Sequence, residues 1–136
     1  MDRTAALDLL TRYYAAFNAG DWAGMLDCLD EGVVHDINQG ASQHGKGAFR
    51  VFLAHMERCY RERLDGIVLM ASDDGTRGAA EFVVHGTYLV TDEGLPEADG
   101  QTYHLPAGAF FAFANGKIER VTVYYNLADW CAQVGA

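Results

Sequence analysis

The chain is short of proline, of positive charge and of paired cysteines, and each shortage narrows what it can be. Two prolines in 136 residues, beside a 12% aromatic share and 50% hydrophobic residues, exclude the composition of disordered or low-complexity segments and allow one sizeable core. The length is that of one domain, so a single domain over residues 1–136 is expected. Lys and Arg total 10 against 19 Asp and Glu, a formal charge of -9. Such a field repels phosphate backbones and anionic lipid, which argues against nucleic acid and membrane as partners. Cys28, Cys59 and Cys131 are odd in number and form no CxxC, so a disulfide framework is excluded and a reduced, cytoplasmic protein is expected. No apolar run approaches the roughly 18 residues of a membrane span, and Met1-Asp2-Arg3-Thr4 lacks the pattern of a secretion signal. Metal-type HxH, HxxxH and CxxC spacings, nucleotide-type GxGxxG and GxxxxGK loops, and a nucleophile elbow around serine or cysteine are all missing. Neither metal nor cofactor is therefore expected.

What is present begins with helices and ends with strands. Leu7, Leu10, Tyr14 and Phe17 recur at 3,4,3 spacing, with Thr4 placed to cap the helix and Asn18-Ala19-Gly20 to stop it. Asp21 caps a short second helix with Trp22, Met25, Leu26 and Leu29 as its stripe, ending near Asp30-Glu31-Gly32. Val33 to Ile37 reads as a strand running into a polar loop from Asn38 to Gly45. Helical spacing returns from Lys46 to about Arg63 through Phe49, Phe52, Leu53, Met56 and Tyr60, with Glu57/Arg61 and Arg58/Glu62 as i,i+4 pairs. Strands follow over 67–72, 77–91 and 102–114, an acidic loop spanning 92–100. Asn115-Gly116 is the preferred dipeptide for a two-residue hairpin into 118–125, and Asn126 to Val134 reads as a loop or short helix. The strand over 77–91 is long enough that a bend or bulge is expected at Gly86.

The run Arg12-Tyr13-Tyr14-Ala15-Ala16-Phe17-Asn18-Ala19-Gly20-Asp21-Trp22, followed by Asp30-Glu31-Gly32-Val33-Val34-His35-Asp36, resembles the opening of ketosteroid isomerases and of the wider NTF2-like/SnoaL-like superfamily. His35-Asp36-Ile37-Asn38-Gln39-Gly40, Ala80–Tyr88, Leu105–Phe111 and Tyr124–Trp130 are similar to the group called ketosteroid isomerase-related proteins. The resemblance implies an α+β NTF2-like cone, a curved mixed or antiparallel sheet wrapped over N-terminal helices. It places Asp36 where the isomerases carry their proton-shuttling aspartate and Tyr13 where they carry an oxyanion-hole tyrosine. Ala109 stands where they carry a second, acidic donor.

Strand alternation puts Glu81, Val83, His85 and Thr87 on one face and Phe82, Val84 and Tyr88 on the other. Aligned with the isomerases, the Glu81/His85 face lines the cone, and His85 is expected to polarise a substrate oxygen opposite Asp36. His35 should then point away from Asp36's side. In the last strand, register with Val121 and Val123 gives Tyr125 to the pocket, and Asn126 is placed to hydrogen-bond a carbonyl. Phe111, Trp22 and Met56 are expected as apolar walls. The expected function is a cofactor-independent isomerase or lyase in which Asp36 abstracts a proton beside the carbonyl of a small lipophilic molecule while Tyr13 and His85 stabilise the enolate. The alternative is a non-catalytic module that holds such a molecule in the same cone. A homodimer through the open sheet face is expected in either case.

Overall fold

A computed structural model describes residues 1–37 and 39–135; Asn38, at the start of the expected polar loop, lies outside them. Helix α1 spans Arg3–Ala19 and is capped by Asp2, whose carboxylate accepts from Ala5 N at 2.8 Å. The cap falls two residues before Thr4 because a carboxylate that accepts from the third residue on satisfies the orphan amides directly. Gly20, at φ 69°, closes the helix by donating to the Ala16 and Phe17 carbonyls, a conformation that costs glycine little. Helix α2, Trp22–Asp27, is capped by Asp21 as expected.

Among the described residues the sheet has six strands in the order β2-β1-β6-β5-β4-β3: β1 Leu29–Asp36, β2 Gln43–His44, β3 Tyr60–Ala71, β4 Arg77–Tyr88, β5 Thr102–Ala114 and β6 Lys117–Tyr125. Strands β1 and β6 run parallel and every other pair antiparallel. Helix α3, Lys46–Cys59, lies between β2 and β3, and α4, Leu127–Gly135, follows β6. The result is a mixed α+β fold in which a curved sheet, not closed into a barrel, wraps over the N-terminal helices. Asn115 (φ 53°) and Gly116 (φ 73°) make the two-residue β5–β6 turn, both central residues in the left-handed region that such a turn requires.

Several boundaries differ from the sequence reading: α2 ends at Asp27 and β1 begins at Leu29, which pairs with Ile118 of β6 instead of closing the helix stripe, β2 lies within the expected polar loop, and β4 stops at Tyr88. One further difference conceals the site. Helix α3 stops at Cys59, and Tyr60 is already extended (φ -135°, ψ 148°). Residues 60–64, read as the helix's charged end, instead open β3, with Tyr60, Glu62 and Leu64 turned inward and Arg61 and Arg63 exposed. Alternating charges satisfy an i,i+4 helix pattern and a period-2 strand pattern equally, and pairing with β4 over Tyr60↔Tyr88 to Leu64↔Val84 settles which one forms. The bulge also lies elsewhere than expected. Pairing between β4 and β5 runs unbroken through Gly86. It is β3 that slips, placing Gly66 and Ile67 opposite Phe82 alone, with Gly66 at φ 60°.

Gly86 is needed for another reason. It pairs with Tyr103 of β5 and Glu62 of β3, and the Tyr103 ring lies across it so closely that a Cβ there would collide with the ring carbons and hydroxyl. Gly86→Ala is expected to destabilise the protein by about 1–3 kcal/mol through overpacking. Urea unfolding measures this, and an unchanged midpoint would show that the ring can move aside.

Candidate functional site

The helices and the inner sheet face enclose a cavity of about 530 Å³. Its walls are mostly apolar, among them Phe49, Phe52 and Leu53 of α3 and Phe82, Val84 and Leu105 of the sheet. Tyr13 and Tyr14 both line it, their rings edge to face at 5.1 Å. Burial raises both hydroxyls above the usual tyrosine range, so they are held as protonated donors. Tyr125 and Met56 also line the cavity, as does Ala109.

Asp36 does not. The faces of β1 are the reverse of the expected ones: His35 turns inward and Asp36 outward. Asp36 pairs in register with Thr122 of β6, and its carboxylate accepts from Ser42 Oγ (2.5 Å), Arg120 Nε (2.7 Å) and Thr122 Oγ1 (2.8 Å). The Ser42 bond leads in holding its pKa below the ordinary value, with burial opposing and Thr122 and Arg120 adding to it. A carboxylate spent on three donors outside the cavity is a clamp joining β1, the loop after it and β6.

The long strand is reversed as well. Phe82 and Val84 line the cavity, and Tyr88 is fully buried. Glu81 is exposed, and His85 sits on the outer face, stacked on His104 at 6.0 Å with Nε2 3.7 Å from Asp65. Burying three large apolar side chains outweighs any preference of one histidine for the cone. Asn126 caps α4, its Oδ1 accepting from Asp129 N at 3.0 Å, and is not among the lining residues. Phe111 packs beneath the cavity on Tyr13 at 5.8 Å, and Trp22 packs on Phe17 at 5.9 Å; neither reaches the lining.

Beyond Tyr13 and Tyr125, further polar groups of the cavity come from positions the sequence reading did not assign to the site. Glu62 projects from β3, and Tyr103 donates its hydroxyl to Glu62 Oε2 at 2.5 Å. Burial raises the Glu62 pKa, the Tyr103 bond partly opposing. Tyr60, two residues back on the same face, donates to Asp92 Oδ2 at 2.6 Å, while His55 Nε2 lies 3.0 Å from Asp92 Oδ1. Asp92 is held there because its amide donates to the Tyr88 hydroxyl (2.9 Å), which in turn donates to the Pro96 carbonyl (2.6 Å). Trp130 of α4 backs this end, its ring 5.0 Å from Tyr88, 5.9 Å from Tyr103 and 6.0 Å from Tyr60.

His35 faces Phe49 and Phe52 at 4.6 and 4.7 Å, with Nδ1 buried and unpaired. Burial depresses its pKa to about 4, the Asp36 charge opposing, so the ring is neutral at pH 7. Among the described residues, His55, Cys59 and Asp92 can each bring one ligand atom within 4.8 Å of the others. His55 and Cys59 are one helical turn apart, and the carboxylate of that trio is already engaged by His55 and Tyr60.

The sequence profile of the SnoaL-like domain matches residues 10–121. The chain belongs to this family. A Pseudomonas putida protein named as a candidate polyketide cyclase is similar at 62% identity over 95% of this chain and 97% of its own, with a TM-score of 0.94. A candidate polyketide cyclase from a Silicibacter species is similar at 54% identity over 100% and 99% of the two chains, TM-score 0.96. An NTF2-like protein of unknown function from Burkholderia pseudomallei, at 18% identity over 97% and 98%, superposes with a TM-score of 0.81, a likeness of fold alone. No functionally curated protein matches the chain in sequence.

Two outcomes separate the inner from the outer group. His35 binds its proton less tightly folded than unfolded, so its stabilising contribution is present above about pH 6.5 and is lost as pH falls toward 4. The loss amounts to about 3 kcal/mol. His35→Phe, which fits between Phe49 and Phe52, is expected to remove that part of the acid sensitivity, read from urea midpoints between pH 7 and 4; an unchanged slope would show the ring already solvated. Asp36→Asn is expected to cost about 1–3 kcal/mol of stability by weakening the clamp. It should leave binding of an apolar dye in the cavity unchanged, whereas a large loss of dye affinity would return Asp36 to the site.

Proposed function

We propose that the chain is a cofactor-independent enzyme of the cyclase or isomerase type that transfers a proton on a lipophilic carbonyl compound held in the cavity, with Glu62 as the group that takes and returns the proton. One observation carries the reading: a carboxyl whose pKa is raised by burial, oriented by Tyr103, stands in the wall of an otherwise apolar cavity. Such a carboxyl is a stronger base than an exposed one and can also hold a proton for return. Tyr13 and Tyr125 line the same space, and a tyrosine hydroxyl suits an enolate oxygen. The names of the relatives at 54 and 62% identity support this chemistry, since closing a polyketide ring also begins by removing a proton beside a carbonyl. The resemblance to ketosteroid isomerases retains its tyrosine in Tyr13, while the base moves from Asp36 to Glu62.

Exchange in D2O tests the reading without a known product. Wild type is expected to incorporate deuterium next to the carbonyl of at least one member of a panel of cyclic and aryl ketones. Glu62→Gln should lower that rate by about 100-fold or more while still binding the ketone. Equal exchange by both proteins, or none by wild type, rejects proton transfer and leaves a binding module. Stability provides a second readout with a definite sign. A raised carboxyl pKa gives stability that is full below the unfolded value near 4.3 and declines as pH rises through the folded one. The thermal midpoint of Glu62→Gln should therefore gain on wild type at pH 8 and lose that gain by pH 4.

A further inference from the structure

Strand β3 distributes its charges against the usual logic of solvation. Arg61 and Arg63 point outward, and Glu62 between them points into the cavity. The same imbalance holds around the wall: among the described residues, Glu62, Asp92 and Glu93 line the cavity and no Lys or Arg does, while the lining His55 faces Asp92 alone of the three carboxylates, at 3.0 Å. Arg58, whose guanidinium lies 3.4 Å from His55 Nδ1, is exposed and outside the lining.

The hydroxyls beside these carboxylates are already committed, Tyr103 to Glu62 and Tyr60 to Asp92. Tyr125 stands close enough to feel both carboxylates, whose negative charge adds to burial in raising its hydroxyl pKa. This end of the cavity is thus rich in acceptors and in aromatic rings, those of Tyr60, Tyr103, Tyr125 and Trp130, and poor in free donors. An anionic ligand would be repelled here. A neutral one would leave the negative charge of this end unbalanced in an apolar wall, since Tyr103 and Tyr60 bring hydroxyls but no charge. A protonated amine supplies both a charge and up to three donors, and aromatic rings attract it further.

We propose that the ligand of this cavity carries a protonated amine, seated between Glu62 and Asp92 among the rings of Tyr60, Tyr103, Tyr125 and Trp130, with its apolar body toward Phe49 and Leu105. About 530 Å³ accommodates a two- or three-ring body. The ligand class stands on the lining alone; that the same molecule is turned over by Glu62 rests on the proton-transfer reading, and the substrate is then a carbonyl compound with a basic nitrogen.

Calorimetric titration of the full chain at pH 7 with 2-naphthylmethylamine, 2-naphthylmethanol and 2-naphthoic acid tests it. The amine should bind at one site at least about tenfold tighter than the alcohol, a gap of about 1.4 kcal/mol, and the acid weakest. Asp92→Asn and Glu62→Gln, checked for folding by circular dichroism, should each bring amine and alcohol toward equal affinity and leave the alcohol's own affinity intact. Glu81→Gln, on the outer face, should change nothing. The proposal is overturned if the alcohol or the acid matches the amine, if none of the three binds, or if the preference survives both cavity substitutions and so belongs to the net charge. Should a variant fail to fold, the wild-type ratio decides. Deuterium exchange on neutral ketones without an amine preference overturns this ligand class and keeps the proton-transfer reading; an amine preference without exchange does the reverse.

Discussion

The hydrogen bond from Tyr103 to Glu62 organises this protein. It places a carboxyl group on the inner face of a sheet whose inward residues are otherwise mostly apolar or aromatic, and it requires three strands to do so. Strand β3 supplies the carboxyl, β5 the hydroxyl, and β4 between them must carry glycine where the ring crosses. A buried carboxyl without a partner would be driven toward neutrality or out of the fold. With one directed donor it remains in place, its remaining oxygen free of that bond. The aromatic wall of Tyr60, Tyr88 and Trp130 continues from this bond toward Asp92, so a second carboxylate is held by the same means, a tyrosine hydroxyl aimed at it.

Much of the architecture was legible in the sequence, and the reasons are local. Spacing of Leu10, Tyr14 and Phe17 marks α1, Asp21 marks the start of α2, and Asn115-Gly116 fixes the last hairpin, each through the geometry of a few neighbouring residues. The candidate site was much less so. Alternation along β1 and β4 separates His35 from Asp36 and Glu81 from Phe82, but it does not say which set faces in. That is decided by neighbours far along the chain: Arg120 and Thr122 take Asp36 outward, and burial of Phe82, Val84 and Tyr88 takes His85 with Glu81 to the outer face. Tyr125 was legible because Val121 and Val123 set the apolar register of its own strand.

Glu62 escaped for a different reason. In Glu57–Arg63 the charges satisfy two periodicities at once, and a helix already under way makes continuation the natural reading. A signal was nonetheless present, since Tyr60 and Leu64 bracket Glu62 at period two, the spacing of one strand face. Asp92 and His55 had no such signal. They meet only because Tyr88 and Pro96 hold the acidic loop against the end of α3.

The parallel pairing of β1 with β6 governs the order in which the molecule can be assembled. The Asp36 clamp ties together residues 86 positions apart, and β6 is the strand that joins β1 to the β3–β5 meander. Loop-closure entropy delays contacts of that span. The antiparallel meander from Tyr60 onward joins strands that follow one another in the chain, and α1 lies on its first strand, where Asn18 exchanges two hydrogen bonds with Leu64, whereas β1 has only the two-residue β2 beside it in the sheet until β6 is in place. A chain emerging from the ribosome therefore carries β1 without its long neighbouring strand for nearly its whole synthesis. The cavity, enclosed by α1 on one side and β3–β6 on the other, is among the last features to exist.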